Sequence, residues 1–393
     1  MEYNILFIDN NLENCKETFA PFFNNYHSFF VSSSNEALFI LKNINIDVCL
    51  INYDIKQPSA AEILSRIKKS YPEIVRIIFS DKNHEEFSIR SFNLAHQFLA
   101  IPDNIETIKE KIEIPLILKN LIRNEDTLKK LNGEDGIPAL PELYYKIEKE
   151  IFSPDTSIHR VINLISKDIA LTTKIFQLAN SAYFGVAAKI TDIYQAVNIL
   201  GLNIIKSVIL YTKVFSLLEK KPELKEIIES IWNHSLVVSN ISHKLASHFT
   251  GKRETAEESY IAGILHDIGK IIILNMINKN PYFMKHEIKN AYLDDEAAKN
   301  ILGATHSEIG AYALALWGFP KRIIDAVLLH HSTPIIQEDF STSTIIQISN
   351  KLANIEGIDS IIYDTIYSSE SLIELLNSYD EKTRTSSINS SFP

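Results

Sequence analysis

Short, fully apolar runs open the chain, and long amphipathic ones fill its remaining two thirds. Asn4–Ile8 reads Asn-Ile-Leu-Phe-Ile ahead of Asp9-Asn10-Asn11. A run without polar alternation predicts a strand buried on both faces of a parallel sheet. Val48–Ile51 repeats the pattern, and Val75–Phe79 does so apart from Arg76. Ser28–Val31 and Gln97–Ala100 are shorter candidates. Between them Leu12–Phe23, Glu36–Lys42, Ala60–Ser70 and Phe87–Ala95 carry helical spacing, and Ser33-Ser34-Asn35 supplies an N-cap for the second. Strands alternating with helices over about 100 residues predict a doubly wound α/β domain. Such a domain places ligands at the carboxyl ends of its strands, here Asp9, Asn10, Asn52, Ser80 and Ile101.

Ile105–Lys130 is charged and periodic. Pro115 predicts a break there, with a helix on either side, and Asn132-Gly133-Glu134-Asp135-Gly136 predicts a turn. The apolar positions are too irregular for heptads, so a spacer is expected over 121–136 rather than a coiled-coil dimerisation helix. From Ile137 onward apolar residues recur every three or four positions in some twelve segments, Ala256–Met276 among them, punctuated by Gly185, Gly201, Gly251 and Gly318. That pattern predicts one all-α domain over 137–356. Residues 357–393 hold one further helical candidate, Ser369–Tyr379, before a Ser/Thr/Asn-rich end expected to be partly disordered.

Composition narrows the function classes. The 393 residues are 46% hydrophobic and 22% charged, with a net charge of −10, which argues against a protein that coats nucleic acid. Two cysteines, Cys15 and Cys49, are too few for a disulfide framework and suit a reducing cytoplasm. No uninterrupted apolar segment reaches 18 residues; Ile261–Ile277 contains His266, Asp267 and Lys270 and is expected to be a buried helix, with no membrane role.

The chemistry concentrates in Ile-Ala-Gly-Ile-Leu-His-Asp-Ile-Gly-Lys, residues 261–270. Imidazole and carboxylate are both ligands for iron, manganese or zinc, and successive helical positions point about 100° apart, so one turn can grip an ion from two sides. Lys270, one turn on, offers a cation to a phosphate. For a lone dipeptide the favoured reading is a buried histidine bonded to a neighbour, with Asp267 capping the next segment, and the surroundings change that balance. His234, His306, His330 and His331 also lie on or beside predicted helices.

Two family resemblances follow from these residues. Residues 3–120 resemble a response-regulator receiver domain, which implies a flavodoxin-like, five-stranded parallel sheet over residues 1–120. In that family the first strand ends in an acidic pair, the third in the phospho-accepting Asp, the fourth in Ser or Thr and the fifth in Lys-Pro. Here those places hold Asp9-Asn10, Asn52, Ser80 and Ile101-Pro102. An amide is no nucleophile, two of the charges that would hold Mg²⁺ are gone, and the lysine is missing. The resemblance therefore implies a pseudo-receiver, with phosphorylation of Asp54 as the alternative.

Residues 136–355 resemble the HDOD domain of the HD superfamily. The likeness is carried by Ile137-Pro138-Ala139-Leu140-Pro141, Ser166-Lys167-Asp168-Ile169-Ala170-Leu171, Asn180-Ser181-Ala182-Tyr183-Phe184-Gly185, His306-Ser307-Glu308-Ile309-Gly310 and Trp317-Gly318-Phe319-Pro320. Ile169 departs from it, since a Pro is usual there. In the superfamily's cyclic di-GMP phosphodiesterases, two metals are held by a set that His234, His266, Asp267, His306, His330 and His331 match by type and order, with Asn350 on the terminal Asp. That likeness implies a divalent iron, manganese or zinc ion. Were the centre to turn over, Asp267 and Lys270 would carry catalysis. Asn350 and the missing Gly-Tyr-Pro loop point instead to a non-enzymatic bacterial signalling protein. It would act on a signalling partner or a small nucleotide, in the cytoplasm, with a homodimer left open. A metal-dependent phosphodiesterase is the alternative.

Overall fold

The computed structural model describes residues 3–55, 58–80, 94–101, 105–133, 136–138, 140–152, 157–180, 190–216, 218, 224–279, 294–333 and 340–354. The predicted segments 181–185, 281–287, 369–379 and 383–393, and nearly all of 87–95, lie outside these. Two compact units result, one of residues 1–149 with 269–321, the other of 150–268 with 322–393.

The first unit contains the sheet. Strands β1 (Asn4–Ile8), β2 (His27–Val31), β3 (Val48–Asn52), β4 (Val75–Ser80) and β5 (Gln97–Ala100) all pair in parallel, in the order β2-β1-β3-β4-β5. The apolar runs of β1, β3 and β4 are buried throughout, which is why they lack alternation. β2, at the edge, is only half-buried. Helices α1 (Leu12–Phe19), α2 (Ser34–Asn43) and α3 (Ala60–Ser70) start at side-chain caps: Asn11, Ser33 and Ser59 each accept a hydrogen bond from a first-turn backbone N–H. Such a cap contributes about 1 kcal/mol. The predicted helix to Phe23 stops at Phe19 and tightens into a 3-10 turn, Ala20–Phe22, where Pro21 sits. Order reverses between β1 and β3, so their carboxyl ends open the crevice of a doubly wound sheet. This five-stranded domain has the receiver-like fold.

The joint corrects an expectation. Pro115 does not interrupt its helix: α4 spans Ile105–Lys119, and the chain turns only before Asn124, which caps α5 (Glu125–Asn132). A proline cannot donate to the carbonyl four residues back, so Lys111 loses its helical partner. The buried Gln97 replaces that partner, its Nε2 donating to Lys111 O at 3.1 Å. The same amide donates to Ala315 O at 2.7 Å, near the end of another helix. Nor is 125–132 a plain spacer, since Leu128, Leu131 and Asn132 are buried.

Helix α6 (Glu142–Phe152) begins the helical domain. α7 (Ile158–Ile165), α8 (Ile169–Ala179), α9 (Ile193–Leu200), α10 (Leu202–Ser216), α11 (Lys225–Thr250) and α12 (Arg253–Leu265) follow. Then come α13 (Ile268–Lys279), α14 (Asp295–Leu302), α15 (His306–Leu316), α16 (Lys321–Leu329) and α17 (Thr342–Leu352). The expected single helix Ala256–Met276 is two, parted at His266-Asp267. Arg253–Ile277 is long and apolar enough to cross a membrane by length and composition, but 94% of its apolar window is buried inside the fold. Helices α9 and α10 also pass that test as a pair, yet they are bent by 105° at Gly201, whose φ is 78°.

The sheet shares its unit with α15. Buried Arg76 of β4 donates to the carbonyls of Pro72, Ile74 and Leu94, and its Nη2 to Asn132 O at 3.1 Å. The Asn132 amide donates in turn to the Tyr312 hydroxyl on α15 at 2.9 Å. Gly318, at φ 74°, leaves room for Gln97, whose Oε1 would lie 3.2 Å from a Cβ there. Trp317 Nε1 donates to Pro138 O at 2.8 Å.

Candidate functional site

The strand-end crevice of the sheet brings Asp9 and Asn52 together. Asp9 is buried, its Oδ1 accepts the Asn11 N–H at 2.9 Å, and its Oδ2 accepts the Asn52 Nδ2–H at 3.0 Å. Asn52 Oδ1 takes the Asp54 backbone N–H at 2.8 Å. Ser80 is buried at the end of the neighbouring strand. Ile101 is half-buried, its N–H donating to Ser80 O at 2.8 Å, and Asn10 is exposed. Pro102 lies outside the described residues.

In the second unit, four segments bring histidines and their partners to one place. His234 comes from the middle of α11, His266-Asp267 from the break between α12 and α13, His330-His331 from the end of α16, and Asn350 from α17. The helix pair α11 and α12 closes tightly because Gly263 faces Ser239: a Cβ on Gly263 would stand 2.5 Å from Ser239 Cα. Ser242 fastens the same seam by donating to the carbonyl of Ser259 at 2.9 Å. Small residues at 235, 239 and 242 were a readable sign of this approach.

His266, Asp267 and His330 are all but fully buried. His266 Nδ1 lies 2.7 Å from Gly263 O, and His330 Nδ1 lies 2.6 Å from Val327 O. A carbonyl only accepts, so each Nδ1 carries a proton, and in the neutral ring Nε2 then keeps its lone pair. Those Nε2 atoms face Asp267, at 3.5 Å from Oδ2 for His266 and 3.7 Å from Oδ1 for His330. The His266 ring centroid is 5.2 Å from that of His234 and 5.0 Å from that of His330, and His331 follows at 4.1 Å from His330. One ligand atom each from His234, His266 and Asp267 lie within 4.8 Å of one another. Two imidazole lone pairs converging on a buried carboxylate form a donor set suited to a cation, so these residues fit a divalent metal. The carbonyls that fix the ring tautomers are the outer partners such a site requires, and sequence reading missed them because any residue supplies a carbonyl.

Asn350 meets His234 directly, with Oδ1 3.0 Å from Nε2. Beside His234 a cavity of about 520 Å³ is lined by Glu226, Glu229, Ser230, Asn233, Val237 and Ala353. Its charged residues are both carboxylates, with Lys225 3.9 Å from Glu229. Neither glutamate stood out in the sequence. His243 is half-buried against Tyr260, and burial pushes its pKa below the usual histidine range.

The other two candidates belong to the first unit. His306 opens α15 behind the N-cap Thr305, is buried, and has Nδ1 2.7 Å from Asp295 Oδ1. Gly269 packs against it so closely that a Cβ would come within 1.9 Å of His306 O, which accounts for the glycine after His-Asp-Ile. Lys270 is half-buried on α13. In the Asn-Ser-Ala-Tyr-Phe-Gly segment only Asn180 is described. It ends α8 and exchanges two hydrogen bonds with the Ile190 backbone, at 2.8 and 2.7 Å.

A protein-family model described as the HDOD domain matches residues 137–333. A curated relative, an uncharacterized protein of Treponema pallidum, is 27% identical over 207 residues; the match covers 52% of this chain and only 40% of the relative's length. Among solved structures, an HDOD domain protein with unknown function from Geobacter sulfurreducens is 21% identical, with 72% of this chain and 95% of that chain covered and a TM-score of 0.41. The signal receiver domain of an HD domain-containing protein from Pseudomonas fluorescens is 18% identical over 30% of this chain and 98% of its own, with a TM-score of 0.28. At these identities and TM-scores neither structural likeness carries a functional argument.

Proposed function

We propose, from the premise that this chain belongs to the HDOD family, that it is a non-enzymatic signal-transduction protein whose receiver-like domain accepts no phosphate and acts on an HDOD output domain. The observation that carries this reading is the hydrogen bond from Asn52 to Asp9 at 3.0 Å. Where a phosphorylatable carboxylate would stand, there is an amide without a nucleophilic oxygen, already bonded to the buried acid beside it. One carboxylate is a poor seat for Mg²⁺, and Ile101 offers no cation to a phosphoryl group.

Such a domain acts by contact rather than by chemistry. Arg76, Asn132 and Tyr312 form a buried chain of hydrogen bonds from β4 to α15, and Gln97 ties β5 to the end of the same helix. The fixed receiver-like domain holds α15, and the helical domain presents a surface to a signalling protein, with a small nucleotide as the second ligand class. We place this protein in the cytoplasm, where its two buried free cysteines stay reduced.

The second reading is a metal-dependent phosphodiesterase, favoured by the cluster of His234, His266 and Asp267. A divalent ion held there would be iron, manganese or zinc and would supply Lewis-acid activation of a water. Two features weigh against turnover. Asn350 brings no charge to the centre, and the cavity beside His234 presents Glu226 and Glu229 to an incoming phosphodiester.

Incubating the full chain with acetyl phosphate and Mg²⁺ tests the first reading by intact mass. The unmodified mass is expected throughout. A phosphoryl adduct that disappears in Asp54→Ala would contradict it.

A further inference from the structure

We infer that Asn350 is a latch on His234: it fixes the His234 ring with its proton on Nε2 and so keeps this nitrogen from a metal. The inference rests on reading His234, His266 and Asp267 as a ligand set, and it concerns what decides whether that set is in use.

The tautomers follow from the partners. The Asn350 side chain presents Nδ2 toward the His330 carbonyl, at 3.5 Å, and therefore Oδ1 toward His234. Oδ1 can only accept, so at 3.0 Å the proton between them sits on His234 Nε2. His266 and His330 are in the opposite state, with Nδ1 donating to Gly263 O and Val327 O and with Nε2 turned to Asp267. Of three neighbouring rings, two present a lone pair inward at Nε2 and the third presents a donor.

The chemistry at position 350 sets this difference. A carboxylate there would have the same shape, a negative charge and no N–H. Without a cation it too would accept from His234 Nε2–H, but no N–H would hold it on the His330 carbonyl. Its charge would favour a cation shared with His234 Nε2, on which the ring would take the tautomer of its neighbours. The amide satisfies His234 and the His330 carbonyl at once, so it closes the centre with hydrogen bonds between neutral groups. The carboxylates of Glu226 and Glu229 line the cavity beside His234, so the ligand this centre would admit once unlatched is a small cation.

Two measurements on the full chain test the latch. The first needs no substitution: ¹⁵N spectra of histidine-labelled protein after chelator treatment. They should show Nε2 protonated on His234 and Nδ1 protonated on His266 and His330, assigned by single His→Gln variants. A His234 with its proton on Nδ1 would overturn the proposal. The second is equilibrium titration with Mn²⁺. Asn350→Asp should bind about ten- to a hundredfold more tightly than the parent chain, the range expected when a partner of a metal ligand is changed. Adding His234→Ala should remove the gain. Equal affinity in the parent and Asn350→Asp would overturn the latch. Hydrolysis by the unsubstituted chain would instead overturn the non-enzymatic reading, so the two failures are distinguishable.

Discussion

At the scale of single residues, burial has turned several side chains away from their ordinary chemistry. Both ring nitrogens of His96 face Arg76: Nδ1 accepts its backbone N–H at 3.0 Å, and Nε2 lies 2.8 Å from Nη2. Burial first, and the Arg76 charge second, hold the His96 pKa well below the usual histidine range. The unfolded chain therefore takes up a proton that the folded chain refuses, and stability is lost as pH falls below about 6.5. Urea midpoints should drop between about pH 7 and pH 5, and His96→Gln should flatten that slope. An unchanged slope in the variant would mean that other groups carry it. The same burial pushes the thiols of Cys15 and Cys49 up to about 12. What was legible at this scale was residue type: His266-Asp267 stood out as a dipeptide, His234 and Asn350 through the resemblance to the HD superfamily, and the structure brings them together. The tautomers were not legible, because they depend on carbonyls at Gly263 and Val327 and on the direction of an amide. Ile169 shows the converse. It replaces a usual proline at the first position of α8, and it is 82% exposed there behind the Asp168 cap, so either residue is accommodated.

At the scale of elements, apolar runs and caps located the strands and most helices within a residue or two. Ala60–Ser70 and Gln97–Ala100 have the expected ends. Local sequence failed where a distant residue supplied what a rule says is missing. Pro115 was read as a break because its helix loses a donor; Gln97, 18 positions earlier, provides one to Lys111 O. Likewise Ala256–Met276 has unbroken helical spacing, and nothing in that spacing signals the interruption at His266-Asp267. The coupling of Gln97 to Pro115 can be measured as a cycle. Gln97→Leu should cost about 1–3 kcal/mol, since it takes the donor from the part-buried Lys111 O and from the buried Ala315 O. In a Pro115→Ala background the helix recovers its own N–H, so the loss should shrink by about 1 kcal/mol. Strictly additive effects on chemical unfolding, followed through Trp317, would show that the two residues are not coupled.

At the scale of the whole molecule, domain order was legible because each half has its own hydrophobic period, two-sided runs for the sheet and three-to-four spacing for the helices. The sharing of one compact unit by the sheet and α15 was not, since it rests on Arg76, Asn132, Tyr312 and Gln97, which are far apart in sequence. Within that unit the receiver-like domain is tied to one helix of the family-matched region. We propose that the His/Asp centre serves signalling without turnover. The most direct test is hydrolysis of cyclic di-GMP by the full chain supplied with Mn²⁺ or, without oxygen, Fe²⁺, alongside Asp267→Ala. The same background rate is expected of both. Linear product formed by the parent chain and abolished by Asp267→Ala would contradict it.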